Sequence, residues 1–239
     1  MLLSVTDLKT FAAEKGGRFL SSQTGRAAQA VSDEGYRPAT QMRSIETERR
    51  VLEAAEVLFA EHGYSGAKIA DILERSECST GSFYHRFRDK EGLFRKVMEN
   101  YFNYVHDFID TLQLDRETCK TLPGLFRAVV FAAFENIKKN RGFYRAAREL
   151  MHTDPDIWKS VNELNFRLAT RLDEVLPEYV GDICAPDPET ALRAASQLIL
   201  TTVLYSESGR APLFPKDEDV FTEMLVNAAM GIVCPSNSA

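Results

Sequence analysis

The chain has 239 residues, 44% of them hydrophobic, enough for one large domain or two small ones with real cores. Its net charge is −6, and residues 44–100 set nine basic side chains against eleven acidic ones, so bulk charge gives no support for a nucleic-acid partner. The four cysteines (Cys78, Cys119, Cys184, Cys234) are scattered, with no CxxC or Cys/His cluster, which argues against a zinc site and a disulfide framework; no run of eighteen apolar residues offers a membrane span, and the N-terminus lacks the basic start and apolar stretch of a signal peptide. The expectation is a cytoplasmic protein without metal or cofactor.

Residues 1–43 hold four of the thirteen glycines among Ser, Gln, Thr and Ala, and read as a flexible extension. Within it, residues 2–13 have room for a short amphipathic turn, and Arg18, Arg26, Arg37 and Arg43 would suit an arm on DNA as well as an unstructured leader. From Ser44 the pattern becomes helical, with Leu52, Ala55, Leu58, Phe59 and His62 in register and Gly63 at the stop. A short second helix carries Ile69, Ile72 and Leu73 inward and ends near Arg75. Ser76-Glu77-Cys78 leaves space only for a tight turn, Ser79 is a good N-cap for a third helix, and Asp89 caps a fourth that begins Lys90-Glu91-Gly92-Leu93. Beyond residue 100 nothing reads as a strand. Helices are expected near 93–113, 122–139, 142–152, 156–176, 188–208 and 219–233, separated by Pro and Gly breakers that include Pro177. The fold class is all-α: a three-helix helix-turn-helix head over residues 44–92 and a larger helical body over residues 93–239.

The third helix, STGSFYHRFR, is the informative one. Phe83 and Phe87 stand four apart and define an inward face. Gly81, His85 and Arg88 then fall on the outside, flanked by Ser82 and Tyr84, with Thr80 at the exposed first turn. Glycine is a poor helix former, but its missing side chain would let a helix approach a partner closely. Hydroxyls and a tyrosine OH bond phosphates or base edges, the helix N-terminus favours an anion, and Lys90 is placed to hold a neighbouring phosphate. A solvated three-helix unit also has a polar outer face, and helical geometry alone does not choose between the two.

Residues 49–98 resemble the DNA-binding head of TetR-family transcriptional regulators. The likeness rests on Ala54-Ala55, Leu58-Phe59, His62-Gly63-Tyr64, Ile69-Ala70-Asp71-Ile72, Ser79-Thr80-Gly81-Ser82-Phe83-Tyr84, Phe87 and Lys90-Glu91-Gly92-Leu93, in order and without a gap. The resemblance implies contacts to double-stranded DNA from Lys68, Thr80, Gly81, Ser82, Tyr84, His85 and Lys90. The chain departs from the family's usual pattern at Glu77, where glycine is common, and at Ala67, where Thr or Ser is common and where Ser65 or Lys68 would have to substitute as cap.

The same resemblance implies a homodimer, a palindromic operator and a body that encloses an unidentified small-molecule effector, most often acting to release a repressor. Candidates for the pocket are Phe126, Phe134, Tyr144, His152, Trp158, Asn165 and Phe166, bulky apolar walls with a few polar groups. Candidates for the dimer interface are Ala191, Ala195, Leu198 and Tyr205 on the penultimate helix and Phe221, Met224, Leu225 and Ala228 on the last. Both helices also fit an ordinary core. No catalytic triad, HExxH, phosphate loop or carboxylate pair stands out, and the histidines (His62, His85, His106, His152) match no metal spacing, so no enzyme is expected. Cys78, in the turn before the third helix, fits either a small buried hydrophobe or a thiol sensor.

Overall fold

The computed structural model describes residues 38–207 and 213–235, all helix and connecting turn, with no strand among them. The expected extension up to residue 37, with Arg18, Arg26 and Arg37, lies outside the described residues. The chain divides into a unit of residues 1–46 and a unit of residues 47–239, and apart from the start of the first helix the features below lie in the second. The helices are α1 (Pro38–Gly66), α2 (Ile69–Ser76), α3 (Thr80–Phe87), α4 (Lys90–Thr111), α5 (Arg116–Cys119), α6 (Leu122–Lys139), α7 (Arg141–Leu150), α8 (Pro155–Tyr179), α9 (Pro188–Glu207) and α10 (Glu218–Val233). Among the described residues no helix is long and apolar enough to cross a membrane.

Helix α1 begins at Pro38, ahead of the expected Ser44, and bends at Gly63 (φ 73°, ψ 180°), a conformation essentially reserved for glycine. Val51, Ala55, Leu58 and Phe59 of α1 are buried with Ile72, Phe83, Phe87, Leu93 and Phe94, which makes the head core, while His62 is exposed. In the body, α6, α9 and α10 pack against one another and α4 lies along α8.

Two junctions share one design. At α3–α4, Arg88 (φ 65°) makes a three-residue turn closed by the Asp89 amide on the Phe87 carbonyl (2.8 Å), and the Asp89 carboxylate caps α4 by accepting from the Gly92 amide (2.8 Å). At α5–α6, Lys120 (φ 66°) turns the chain, the Thr121 amide bonds Cys119 O (2.8 Å), and the Thr121 hydroxyl accepts from the Gly124 amide (3.2 Å). In both, a Cβ on the glycine would lie 2.0 Å from the carbonyl oxygen of the preceding helix, so glycine is what lets the two helices meet so tightly.

Two long-range features depart from the sequence reading. Helix α8 runs through Pro177, which is exposed and close to the helix end, where a carbonyl freed by the missing N–H can meet water. Cys184 and Cys234 are disulfide-bonded across 50 residues (Cα–Cα 4.6 Å), which corrects the expectation of no disulfide. Spacing in the chain hid the pair because the segment before α9 folds back onto the end of α10, with the Cys184 and Ala185 amides both donating to Val233 O (2.9 and 3.0 Å).

Candidate nucleic-acid interface and its coupling to the body

The turn between α2 and α3 is built by local capping. The amides of Glu77 and Cys78 return to Glu74 O (3.2 Å) and Leu73 O (3.1 Å), with Glu77 in the left-handed region (φ 51°, ψ 35°). That geometry explains why glycine suits this position. The Ser79 hydroxyl then accepts from the Ser82 amide (3.2 Å) and starts α3 as expected. Cys78 is buried, its thiol directed at Ser79 O (3.5 Å), which fits a small core side chain.

Glu77 carries the backbone strain of a side chain held at positive φ, and its ion pair with Arg50 (3.3 Å) is solvent-exposed. Glycine relieves the strain, roughly 1–2 kcal/mol, against a loss of chain entropy in the unfolded state and a weak surface pair. Glu77→Gly therefore raises stability by about 0.5–1 kcal/mol, a gain of about 2 °C in Tm on thermal melting. A lower Tm would mean that the Arg50 pair outweighs the strain.

On α3, Phe83 and Phe87 are buried, Ser82 is half-buried, and Thr80, Gly81, Tyr84 and His85 are exposed. A Cβ placed on Gly81 would meet nothing within 4 Å, so no neighbouring helix accounts for a glycine there. Tyr84 packs its ring edge against Phe83 (5.3 Å between centroids) and stays about half exposed. Lys68 is exposed just before α2 and provides no side-chain cap; the cap expected in place of the usual Thr or Ser is therefore missing, and Ala67 is fully buried.

Lys90 is occupied differently from expectation. Its ammonium lies within hydrogen-bonding distance of Tyr64 O (2.9 Å), Ala67 O (3.1 Å) and Ser65 O (3.4 Å), and 4.7 Å from the centre of the Tyr64 ring. With three protons and three carbonyls, it braces the α1–α2 connection against α4. Its partners are 23 to 26 residues away, beyond the reach of any motif reading.

Head and body are joined by a reciprocal clamp between α1 and α7. The Glu56 carboxylate on α1 accepts from the Gly142 and Phe143 amides (2.9 and 3.2 Å) and so caps the start of α7. From α7, Arg145 donates to Ala60 O and Glu61 O (2.7 and 2.8 Å) near the end of α1, and Glu149 accepts from the Tyr64 and Ser65 amides (3.1 and 2.8 Å). Burial pushes the Glu56 carboxyl above its ordinary range, against the lowering pull of the two amides. At Glu149 burial also acts upward, but the hydrogen bonds from Ser65 and Tyr64 and the Arg145 guanidinium outweigh it and hold the carboxyl low. Behind the clamp, the Tyr101 and Tyr144 hydroxyls meet at 2.6 Å and both accept from the Asn136 amide (3.2 and 3.0 Å). Burial raises both phenols, Tyr144 to about 12 and Tyr101 well above the ordinary value, so both stay protonated and joined.

The expected pocket residues do not gather into one site. Phe126 and Phe134 are buried in α6, Phe134 edge-on to Phe221 of α10; Tyr144 belongs to the tyrosine pair; His152 is exposed; Phe166 is 74% exposed; the Trp158 side chain lies outside the described residues. Asn165 does line a cavity of about 310 Å³ between α8 and α9. The interface candidates divide likewise. Ala191, Ala195, Phe221 and Leu225 are buried within the single chain, Met224 is half-buried, and Leu198, Tyr205 and Ala228 are exposed. Periodicity found the apolar helices but not which of their apolar faces points inward. Among the described residues no His, Cys, Asp and Glu cluster could hold a metal ion.

Residues 51–97 match the sequence model of the bacterial regulatory proteins of the tetR family. The chain is 33% identical over 143 residues to IcaR of Staphylococcus epidermidis, the negative transcriptional regulator of a biofilm operon, covering 59% of this chain and 73% of that one. The next two curated relatives match over shorter stretches, 22% and 30% of their lengths. In three dimensions the chain is similar to a tetR-family regulatory protein from Rhodococcus (TM-score 0.58, 19% identity, covering 78% of this chain and 96% of that one). It is also similar to FadR from Bacillus subtilis, solved in complex with stearoyl-CoA (TM-score 0.56, 18% identity, covering 79% of this chain and 99% of that one).

Proposed function

The chain belongs to the TetR family of bacterial regulatory proteins, and on that premise we propose that it is a homodimeric repressor that leaves a palindromic operator when a small molecule binds its body. It is a DNA-binding transcriptional regulator, not an enzyme. The proposed head is residues 44–92 and the proposed body residues 93–239, acting in the cytoplasm. In a compartment that keeps thiols reduced, Cys184 and Cys234 would stand as two thiols within bonding reach.

The observation that carries the DNA reading is Gly81, a glycine in the first turn of α3 with open space where its side chain would be. The contacts proposed are Thr80, Gly81, Ser82, Tyr84 and His85 from α3 and Lys68 from the start of α2, with Lys90 holding the scaffold in place. Two heads related by two-fold symmetry would meet half-sites about 34 Å apart, or a multiple of it. The exposed side chains Leu198, Tyr205 and Ala228, joined by Leu204 (41% exposed) and Val220 (57% exposed), supply the apolar surface for a second copy. FadR, of similar fold, was solved in complex with stearoyl-CoA, which supports a small-molecule effector by analogy of fold. An effector that prefers a different head spacing shifts the population off DNA, and a coupling of about 1–3 kcal/mol is enough for a several-fold to hundred-fold change in operator affinity.

Selection of bound sequences from random duplex DNA, at fixed salt, tests the proposal. The expected result is an enriched palindrome whose binding Tyr84→Ala lowers by at least about tenfold with a nearly unchanged Tm, since Tyr84 is about half exposed. A folded dimer that enriches no sequence would overturn it.

A further inference from the structure

Among the described residues two serine side chains are buried, Ser76 and Ser196. Ser76 donates its hydroxyl proton to Leu73 O (3.3 Å). Ser196, 2% exposed, has no hydrogen-bond partner for its hydroxyl. It stands on the inward face of α9, where Leu192, Ala195, Ile199 and Val203 are all apolar. An unmade buried hydrogen bond is destabilising, and alanine would fit the position without that penalty. Ser196 lines the 310 Å³ cavity between α8 and α9, which lies at the small end of the range for small-molecule sites.

From this orphan hydroxyl and its cavity we infer that the α8–α9 cavity is the site of an uncharged amphiphile, its polar head hydrogen-bonded to Ser196 and its apolar body against Leu168, Leu172 and Leu200. The inference rests on the effector reading above and gives that effector a place and a chemical class. Charge decides the class. Among the described residues the cationic side chain on the lining is Arg193, which is already paired with both Asp173 and Glu189 (2.8 Å to the latter), so these residues offer no free positive charge for an anionic head. Asn165 and Gln197 add neutral amides, and Gln197 already donates to the Thr201 hydroxyl (3.1 Å).

The cavity is also connected to the head. Arg167 on α8 pairs with Asp110, and Arg171 donates to Leu112 O (3.0 Å), so α8 grips the far end of α4, the helix whose near end closes the head core. The opposite wall, α9, carries the exposed Leu198 and Tyr205 proposed for the second copy. A ligand wedged between α8 and α9 therefore acts on both elements that set head spacing.

Titration calorimetry of the purified protein with 1-octanol, and with octanoate as the anionic counterpart, tests the site. Octanol binds, and octanoate binds on the order of tenfold more weakly or not at all. Ser196→Ala weakens octanol by about tenfold, the worth of one hydrogen bond, and leaves the unliganded Tm equal or higher, which a merely structural serine would not do. Ala169→Phe fills the cavity and abolishes binding, with circular dichroism as the check on folding. No octanol binding by the wild-type protein, or wild-type affinity in Ala169→Phe, overturns the inference. Operator affinity is read separately: octanol that binds without changing it overturns the effector role and leaves the site standing.

Discussion

Gly81→Leu abolishes operator binding in a head that is at least as stable as the wild type. The two effects have opposite causes. Glycine in a helix is disfavoured relative to alanine by up to about 1 kcal/mol, and leucine is nearly as good a helix former as alanine. The space around Gly81 is open, so a side chain added there meets no part of the protein. Gly81→Ala should therefore raise stability by about 0.5 kcal/mol, and Gly81→Leu should do no worse. If α3 lies in the major groove by its first turn, the same atoms enter the volume of the DNA. Loss should then be graded, about tenfold for alanine and a hundredfold or more for leucine, the latter near 2.7 kcal/mol. Gly181, also in open space but outside α3, supplies the control, and Gly181→Ala leaves operator affinity unchanged. The measurement is fluorescence anisotropy on the selected operator beside a thermal melt. Equal affinity in all three variants would remove α3's first turn from the interface.

What was legible in the sequence was local. Ser79 and Asp89 announced the starts of α3 and α4 because an N-cap acts within three residues. Phe83 and Phe87 announced a buried face because a step of four residues is just over one helical turn and returns to the same face. Gly63 announced a break because only glycine is comfortable at its backbone angles. What stayed hidden depends on residues brought together by topology. The carbonyls that occupy Lys90 come from the end of α1 and the residue just after it, and the partner of Cys184 is at the end of α10. Aromatics such as Phe126 and Phe134 fill space, so they mark the core and not a cavity; the α8–α9 cavity lies where Ala169 and Ala194 leave it unfilled. Ser196 gave no signal at all, because a serine in a helix is ordinary until its burial and missing partner are seen together.

Gly142→Ala is the mirror case, the same substitution with a large loss. Gly142 opens α7, and its Cβ would lie 2.1 Å from Glu56 O and 2.8 Å from the Glu56 carbonyl carbon, a collision with backbone that no side-chain rotation relieves. Relief requires α7 to move off α1, and that movement pulls the Gly142 and Phe143 amides away from the Glu56 carboxylate. A hydrogen bond to a charged group contributes about 1.5–3 kcal/mol, and the stranded carboxylate is largely buried. Against this stands a helix-propensity gain below about 1 kcal/mol. The net loss should be about 3–4 kcal/mol, a fall of roughly 10 °C in Tm. Glu56→Gln separates charge from shape: it keeps an acceptor oxygen for the two amides, drops the buried charge, and should cost less than about 1.5 kcal/mol. The functional consequence follows from the place of the clamp. Helix α3 and its turn do not touch Gly142, so operator affinity measured well below the lowered Tm should survive in Gly142→Ala. The response to effector should shrink, because α7 then no longer holds α1 through Glu56 while Arg145 and Glu149 alone grip its far end. If Gly142→Ala keeps both its Tm and its full release by effector, the α1–α7 clamp is neither a structural nor a signalling joint, and the coupling runs through α4 alone.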